Sequence, residues 1–292
     1  MLRKKTLGGV LFDSFNYIFL TAFALVTVLP FIHIIAVSLS TAQDYGAKEF
    51  ILWPRGLTLD AYKYLFAMDS VPRSLLVTVY ITVAGTIVNL IFTLTMAYSL
   101  AKKELLGRRT IMLLVIFSML FQGGMIPTYL VVKELHLIDT YWSLLLPGAI
   151  SAFNMIIIKN FFQQLPPGLE ESAKIDGASD LGILVKIVIP LSMPVIATFT
   201  LFYAVGHWNT FFNAIIYIND ADMRPIQVVL RQIVILSEQL GTNDDFNASA
   251  VANLSSSIKM AVIVAATLPI LLVYPFLQKY FVKGIMLGSM KG

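Results

Sequence analysis

The densest run of chemically distinctive residues lies between Gln163 and Pro194. It reads Gln163-Gln164-Leu165-Pro166-Pro167-Gly168-Leu169-Glu170-Glu171-Ser172-Ala173-Lys174-Ile175-Asp176-Gly177-Ala178 and runs on to Lys186-Ile187-Val188-Ile189-Pro190-Leu191-Ser192-Met193-Pro194. Pro166-Pro167-Gly168 stops whatever helix precedes it. A short helix starts near Leu169, with Glu170 and Glu171 favouring its positive N-terminal end. Asp176-Gly177 supplies a turn, because glycine tolerates positive φ. Ser172, Ala173 and Ala178 are small enough for another backbone to approach closely. Such a run can form a compact knob that docks into another protein. In a generic loop, Glu171 and Asp176 would more readily be read as merely solvating it.

A second set of polar residues sits in apolar surroundings. Tyr203, His207 and Thr210 lie at helical spacing, Trp208 and Asn209 flank that stripe, and Asn213 follows. Asn154, Asn160 and Asn89 lie in other apolar stretches. Polar groups in lipid are costly and usually face a bundle interior or cavity. Facing a cavity, Asn154, Tyr203, His207, Trp208, Asn209 and Asn213 are candidates for a substrate pathway. The competing reading is hydrogen-bond glue between helices or an aromatic at the membrane interface.

Bond-making chemistry is poorly supported. There is no cysteine, so no disulfide or thiolate site. The three histidines, His33, His136 and His207, are too dispersed for a metal cluster. No catalytic residue, metal site or resident cofactor is expected. The chain lacks a Gly-x-x-x-x-Gly-Lys-Ser/Thr loop for cradling phosphates.

These groups must be positioned by membrane helices. Of 292 residues, 58% are hydrophobic and 13% charged, against about 25% charged in soluble domains. The mean hydropathy is +0.80. Six apolar stretches are long enough to span a bilayer, near 14–38, 75–100, 110–132, 141–162, 187–217 and 260–282. They are continuous, where a β-barrel would show short alternating segments. The first stretch follows Arg3-Lys4-Lys5 but is longer than a signal-peptide core and reads as a retained helix. Lysines and arginines gather in the connections that place both termini in the cytoplasm, most clearly Lys102, Lys103, Arg108 and Arg109. The 39–74 and 218–259 connections are then external. In the latter, Ile226, Val229, Leu230, Ile233 and Val234 predict an amphipathic helix over 226–240. Pro30, Pro127, Pro147, Pro269 and Pro275 are expected to kink their helices, and His33 reads as a packing residue before a proton relay.

The 163–194 run resembles the EAA loop of ABC importer permeases, whose pattern is Glu-Ala-Ala, three free positions, Gly, a further stretch and Ile-x-Leu-Pro. Here it is Glu171-Ser172-Ala173, Gly177 and Ile187-Val188-Ile189-Pro190, with Ser172 and Ile189 as close-sized departures. Asp176-Gly177-Ala178 and the Pro190-Leu191-Ser192-x-Pro194 ending are similar to the MalG-like carbohydrate branch. The C-terminal run from Tyr274 to Gly284, with Gly288-Ser289-Met290-Lys291-Gly292 after it, resembles polysaccharide and oligosaccharide permeases of the YtcP/LplC type.

The resemblance implies an all-α, polytopic type I importer (MetI-like) fold of about six spans in a bacterial inner membrane. Its parts would be an N-terminal helix and external loop (1–70), a transporter core (71–283) with a coupling loop at 165–194, and a cytoplasmic tail (284–292). The implied partners are a second homologous permease subunit, two ATPase subunits and an extracytoplasmic solute-binding protein, with lipid around them and no nucleic acid. Glu170, Glu171, Ser172, Ala173, Asp176, Gly177 and Ala178 would couple to the ATPase. The implied cargo is an oligosaccharide or polysaccharide, acidic ones such as alginate or pectin fragments included. A secondary transporter is the alternative. It would usually carry embedded charges for ion coupling, and the third to sixth stretches hold no acidic residue.

Overall fold

The structure is a computed structural model that describes residues 7–41, 50–240 and 256–273. Among these the chain is helical, with one isolated bridge between Ser40 and Leu57. The helices are α1 (Leu7–Ser38), α2 (Asp60–Ala67), α3 (Ser70–Ala101), α4 (Arg108–Leu120), α5 (Met125–Glu134), α6 (Trp142–Leu145), α7 (Ala152–Phe162), α8 (Pro167–Ile175), α9 (Asp180–Leu191), α10 (Met193–Trp208), α11 (Phe212–Tyr217), α12 (Ile226–Leu240) and α13 (Ser256–Val273). Arg3, Lys4, Lys5 and the C-terminal run from Tyr274 onward lie outside the described residues.

Three of these helices, α1, α3 and α13, are each long and apolar enough to cross a membrane. The third and fifth expected spans exist only as bent pairs. Between α4 and α5 the axis turns by 118°, and between α9 and α10 by 89°. The first turn falls at Gln122-Gly123-Gly124, where Gly124 adopts φ 85°, open to glycine and strained for other residues. Pro127 stands in the first turn of α5, just past that bend.

The second bend falls at Ser192. Pro190 and Pro194 cannot donate to the helical ladder, and the turn before Pro190, Leu184–Val188, widens to π-helix. The fourth expected span, 141–162, is not continuous either. Leu146-Pro147-Gly148 interrupts it, and α7 has 11 residues, about 16 Å at 1.5 Å per residue, too short to cross alone. The fifth stretch also breaks at Asn209–Phe211 before α11.

The chain divides into two compact units, Met1–Val71 with Leu230–Leu268, and Pro72–Val229 with Pro269–Gly292. In the first, Ala36, Val37 and Ile51 form a small core. The Ser38 and Tyr62 hydroxyls lie 2.8 Å apart. His33 stacks on Phe50 at 4.5 Å and accepts the Ile51 N–H at 3.2 Å, a packing role. Phe12, Phe15 and Phe23 of α1 are each more than 60% exposed, as lipid-facing side chains are.

The second unit has two cores. Toward the C-terminal end of α3, Leu94, Ala97 and Leu100 pack with Met155, Ile158, Ile183 and Phe199. Toward its N-terminal end, Val77 and Ile81 pack with Val132, Leu144, Ala214 and Tyr217. The amphipathic helix forms with its expected bounds. Ile226 and Val229 are buried while Arg231 and Gln232 are exposed.

Candidate functional site

The knob forms as the residues dictate. Pro167 opens α8, where a missing N–H costs nothing. The helix ends in a Schellman turn. Gly177 N–H donates to the Lys174 carbonyl (3.0 Å) and Ala178 N–H to the Ala173 carbonyl (2.9 Å). Gly177 holds φ 80°, which explains the glycine. Ser179 then caps α9, accepting the Gly182 N–H at 3.2 Å.

The two faces of α8 have different partners. Glu170, Ala173 and Lys174 turn toward the rest of the unit. The Glu170 carboxylate contacts the Lys102 ammonium and accepts the Tyr98 hydroxyl at 3.4 Å. Lys102 sits 4.3 Å over the Tyr98 ring. Lys174 reaches Asp180 at 3.4 Å, and Ala173 packs on the core around Leu184 and Phe162. Glu171, Ser172, Ile175 and Asp176 point away and are exposed, Ile175 at 86%. Leu169 and Leu181 add apolar surface. This face thus presents an exposed isoleucine among two acidic residues and one small one. Ile175, Lys102 and Tyr98 escape the sequence reading. Ile175 is a free position of the motif, and the other two lie in a distant segment.

The polar residues of the apolar stretches divide similarly. Asn89 Nδ2 donates to the Gly148 carbonyl at 2.6 Å, which turns its Oδ1 toward His207 Nε2, 2.5 Å away. Nε2 therefore carries the proton. One turn along α3, the Thr93 and Tyr203 hydroxyls lie 2.7 Å apart, and Tyr203 accepts the Ser151 N–H at 3.3 Å. These two rungs join α3, α10 and the irregular 146–151 segment. Irregular backbone at membrane depth must find its partners in protein, and Asn89 and Tyr203 supply them.

Gly85 allows this approach, since a Cβ there would lie 2.4–2.7 Å from the His207 ring. Asn154 is buried, with its N–H on the Ser151 hydroxyl at 3.4 Å. Trp208 is buried and borders an apolar cavity of about 270 Å³ with Val79, Val83 and Leu201. Asn209 is exposed and donates to the Val205 carbonyl at 2.9 Å. Asn213 is exposed on a cavity of about 470 Å³, whose wall includes the α4–α5 break at Gln122, Gly123 and Gly124 and the start of α11 at Phe212.

Among the described residues no cluster of His, Asp or Glu could hold a metal. The far end of the second unit is stapled instead. Asp139, at φ 60°, accepts the N–H groups of Asn219 (2.9 Å) and Asp220 (3.0 Å), and Arg73 pairs with Asp222 at 2.8 Å.

Known proteins share this architecture. A bacterial ABC transporter involved in the import of the acidic polysaccharide alginate has a chain that superposes with a TM-score of 0.86, at 33% identity, over 96% of this chain and 99% of that one. Protein LplC of Bacillus subtilis (strain 168) is 58% identical over 99% of this chain and 97% of its own length. The polygalacturonan/rhamnogalacturonan transport system permease protein YtcP of the same organism is 57% identical over 97% of this chain and 99% of its own. Residues 90–287 match the family described as binding-protein-dependent transport system inner membrane component. With that family match over residues 90–287 and the identity running nearly end to end, the chain belongs to that family, the inner-membrane permeases of ABC importers.

Proposed function

We propose that this chain is one of two homologous permease subunits of an ATP-driven importer for oligosaccharides or polysaccharides, acidic ones such as pectin or alginate fragments included. The near full-length identity to a polygalacturonan/rhamnogalacturonan permease carries the substrate class, and the alginate importer's fold supports it. A solute-binding protein delivers the cargo outside, and two ATPase subunits bind ATP and Mg inside. The chain itself is non-catalytic, with both termini in the cytoplasm, a transporter core at 71–283, an N-terminal helix and loop at 1–70 and a tail at 284–292.

Closure of the ATPases pushes on α8 through Glu171, Ser172 and Ile175, with Ala173, Asp176, Gly177 and Ala178 shaping the knob and Glu170 bracing it. The thrust passes into α9 and the Ser192 bend. The pathway borders Asn213 and Asn209, where two helix breaks leave polar groups for sugar hydroxyls, and Asn154, Tyr203, His207 and Trp208 pack behind them.

The test is a gentle detergent purification of the tagged chain from its native membrane, followed by uptake assays of the reconstituted complex. Co-purification of a second permease and a Walker-containing ATPase, with uptake of oligogalacturonides, is the expected result. A chain that purifies alone restores the secondary transporter, and uptake confined to neutral sugars removes the acidic cargo.

A further inference from the structure

Three helix ends meet beside α8 in the second compact unit. Arg108, opening α4, donates from Nε to the Leu100 carbonyl near the end of α3 (2.8 Å), and Gln163, closing α7, donates to the Ala101 carbonyl (3.2 Å). Lys159, in the last turn of α7, is 8% exposed and near enough to Arg108 for their charges to repel. Among the described residues no carboxylate forms an ion pair with Lys159, Lys103, Arg108 or Arg109. An ammonium on a buried stem beside a guanidinium, in a membrane protein, calls for an anion.

A groove of about 730 Å³ opens at this place, lined by Lys103, Arg108 and Arg109, with Glu104 its one acidic residue. It continues along one face of α4, where Met112, Leu113 and Ile116 follow Arg109 at helical spacing. Leu113 is 59% exposed, and Leu106 at the loop tip is 93% exposed. Cations above an apolar stripe match a charged headgroup with its acyl chain. An acidic protein surface would answer the cations and leave the stripe uncovered.

We propose that this groove binds an anionic phospholipid of the cytoplasmic leaflet, its phosphate held by Lys103, Arg108 and Arg109 with Lys159 behind, and one acyl chain along α4. The site anchors the start of α4 next to the coupling knob, and its existence does not depend on which cargo is carried.

The assembled complex, in vesicles of phosphatidylcholine with or without phosphatidylglycerol, is extracted and its retained lipid counted by native mass spectrometry. Phosphatidylglycerol is retained selectively, and Lys103→Gln with Arg109→Gln lowers that retention on the order of tenfold without changing phosphatidylcholine. Both side chains are exposed, so the double variant folds. Equal retention of the two lipids, or unchanged retention in the variant, overturns the site. Loss of the ATPase subunits from the variant with lipid retention unchanged also overturns it, and assigns the cations to an acidic protein surface.

Discussion

The ammonium of Lys102, just past the end of α3, contacts the carboxylate of Glu170 in the first turn of α8, under cover of the Tyr98 ring. Both side chains are only about a quarter exposed, at 24% and 23%, so water screens the pair less than a surface ion pair. The α8 knob is therefore fastened to a second membrane helix as well as to α9, into which it continues. Lys102→Glu should weaken this brace by about 1–2 kcal/mol and lower the sugar moved per ATP hydrolysed while the ATPase still co-purifies. Lys102→Glu combined with Glu170→Lys should recover most of the coupling ratio. A double variant no better than either single one sinks the brace.

Ile175 should report on the docking face. Its side chain is exposed in this chain, so Ile175→Asp leaves the fold unharmed and places a charge where an apolar contact is expected. ATPase retention in a detergent pull-down should fall by tenfold or so, the effect of about 1.4 kcal/mol. Glu171→Ala should weaken the same contact. Full retention in both variants would remove this face from the ATPase interface.

Gly177 holds a left-handed conformation at the end of α8. Gly177→Ala should cost roughly 1–2 kcal/mol locally, loosening the Schellman turn. Proteolysis at the 176–179 turn should quicken, and coupling should drop before the membrane helices lose helicity. Unchanged protease sensitivity would show that the turn adapts.

The contact between Gly85 and His207 predicts a mutual dependence. Gly85→Ala drives a methyl into the imidazole and breaks the bond to Asn89, for about 1–3 kcal/mol. His207→Ala removes the clash, so Gly85→Ala with His207→Ala should melt higher than Gly85→Ala alone. Additive losses in a thermal-shift assay would contradict the packing.

Asp139 tests the staple at the opposite end. Asp139→Ala loses two acceptor contacts to the backbone of Asn219 and Asp220, about 1–3 kcal/mol. Asp139→Asn keeps an oxygen in place and tolerates positive φ well, so it should stay within a fraction of that loss. Equal melting temperatures for the two variants would leave the staple without effect.

Composition and run length already require a helical membrane protein, because only helices satisfy a long apolar backbone in lipid. Local rules were enough for the knob as well. Proline before α8, glycine at its positive-φ end and the 226–240 helix all answer to near neighbours, and each appears where the residues put it. Three expected spans were otherwise. Their apolar side chains satisfy a hydropathy reading whether or not the backbone is continuous, so hydropathy could not report the breaks at Gln122–Gly124, Leu146–Ser151 and Ser192.

Tertiary structure alone decided what the polar residues do. Asn89 and Tyr203 meet the open backbone of a segment far along the chain, and no spacing within either helix encodes that meeting. Glu170 and Glu171 are neighbours of identical chemistry, and the sequence treats them alike. Helical geometry places them about 100° apart, so one turns in to Lys102 while the other stays free for a partner.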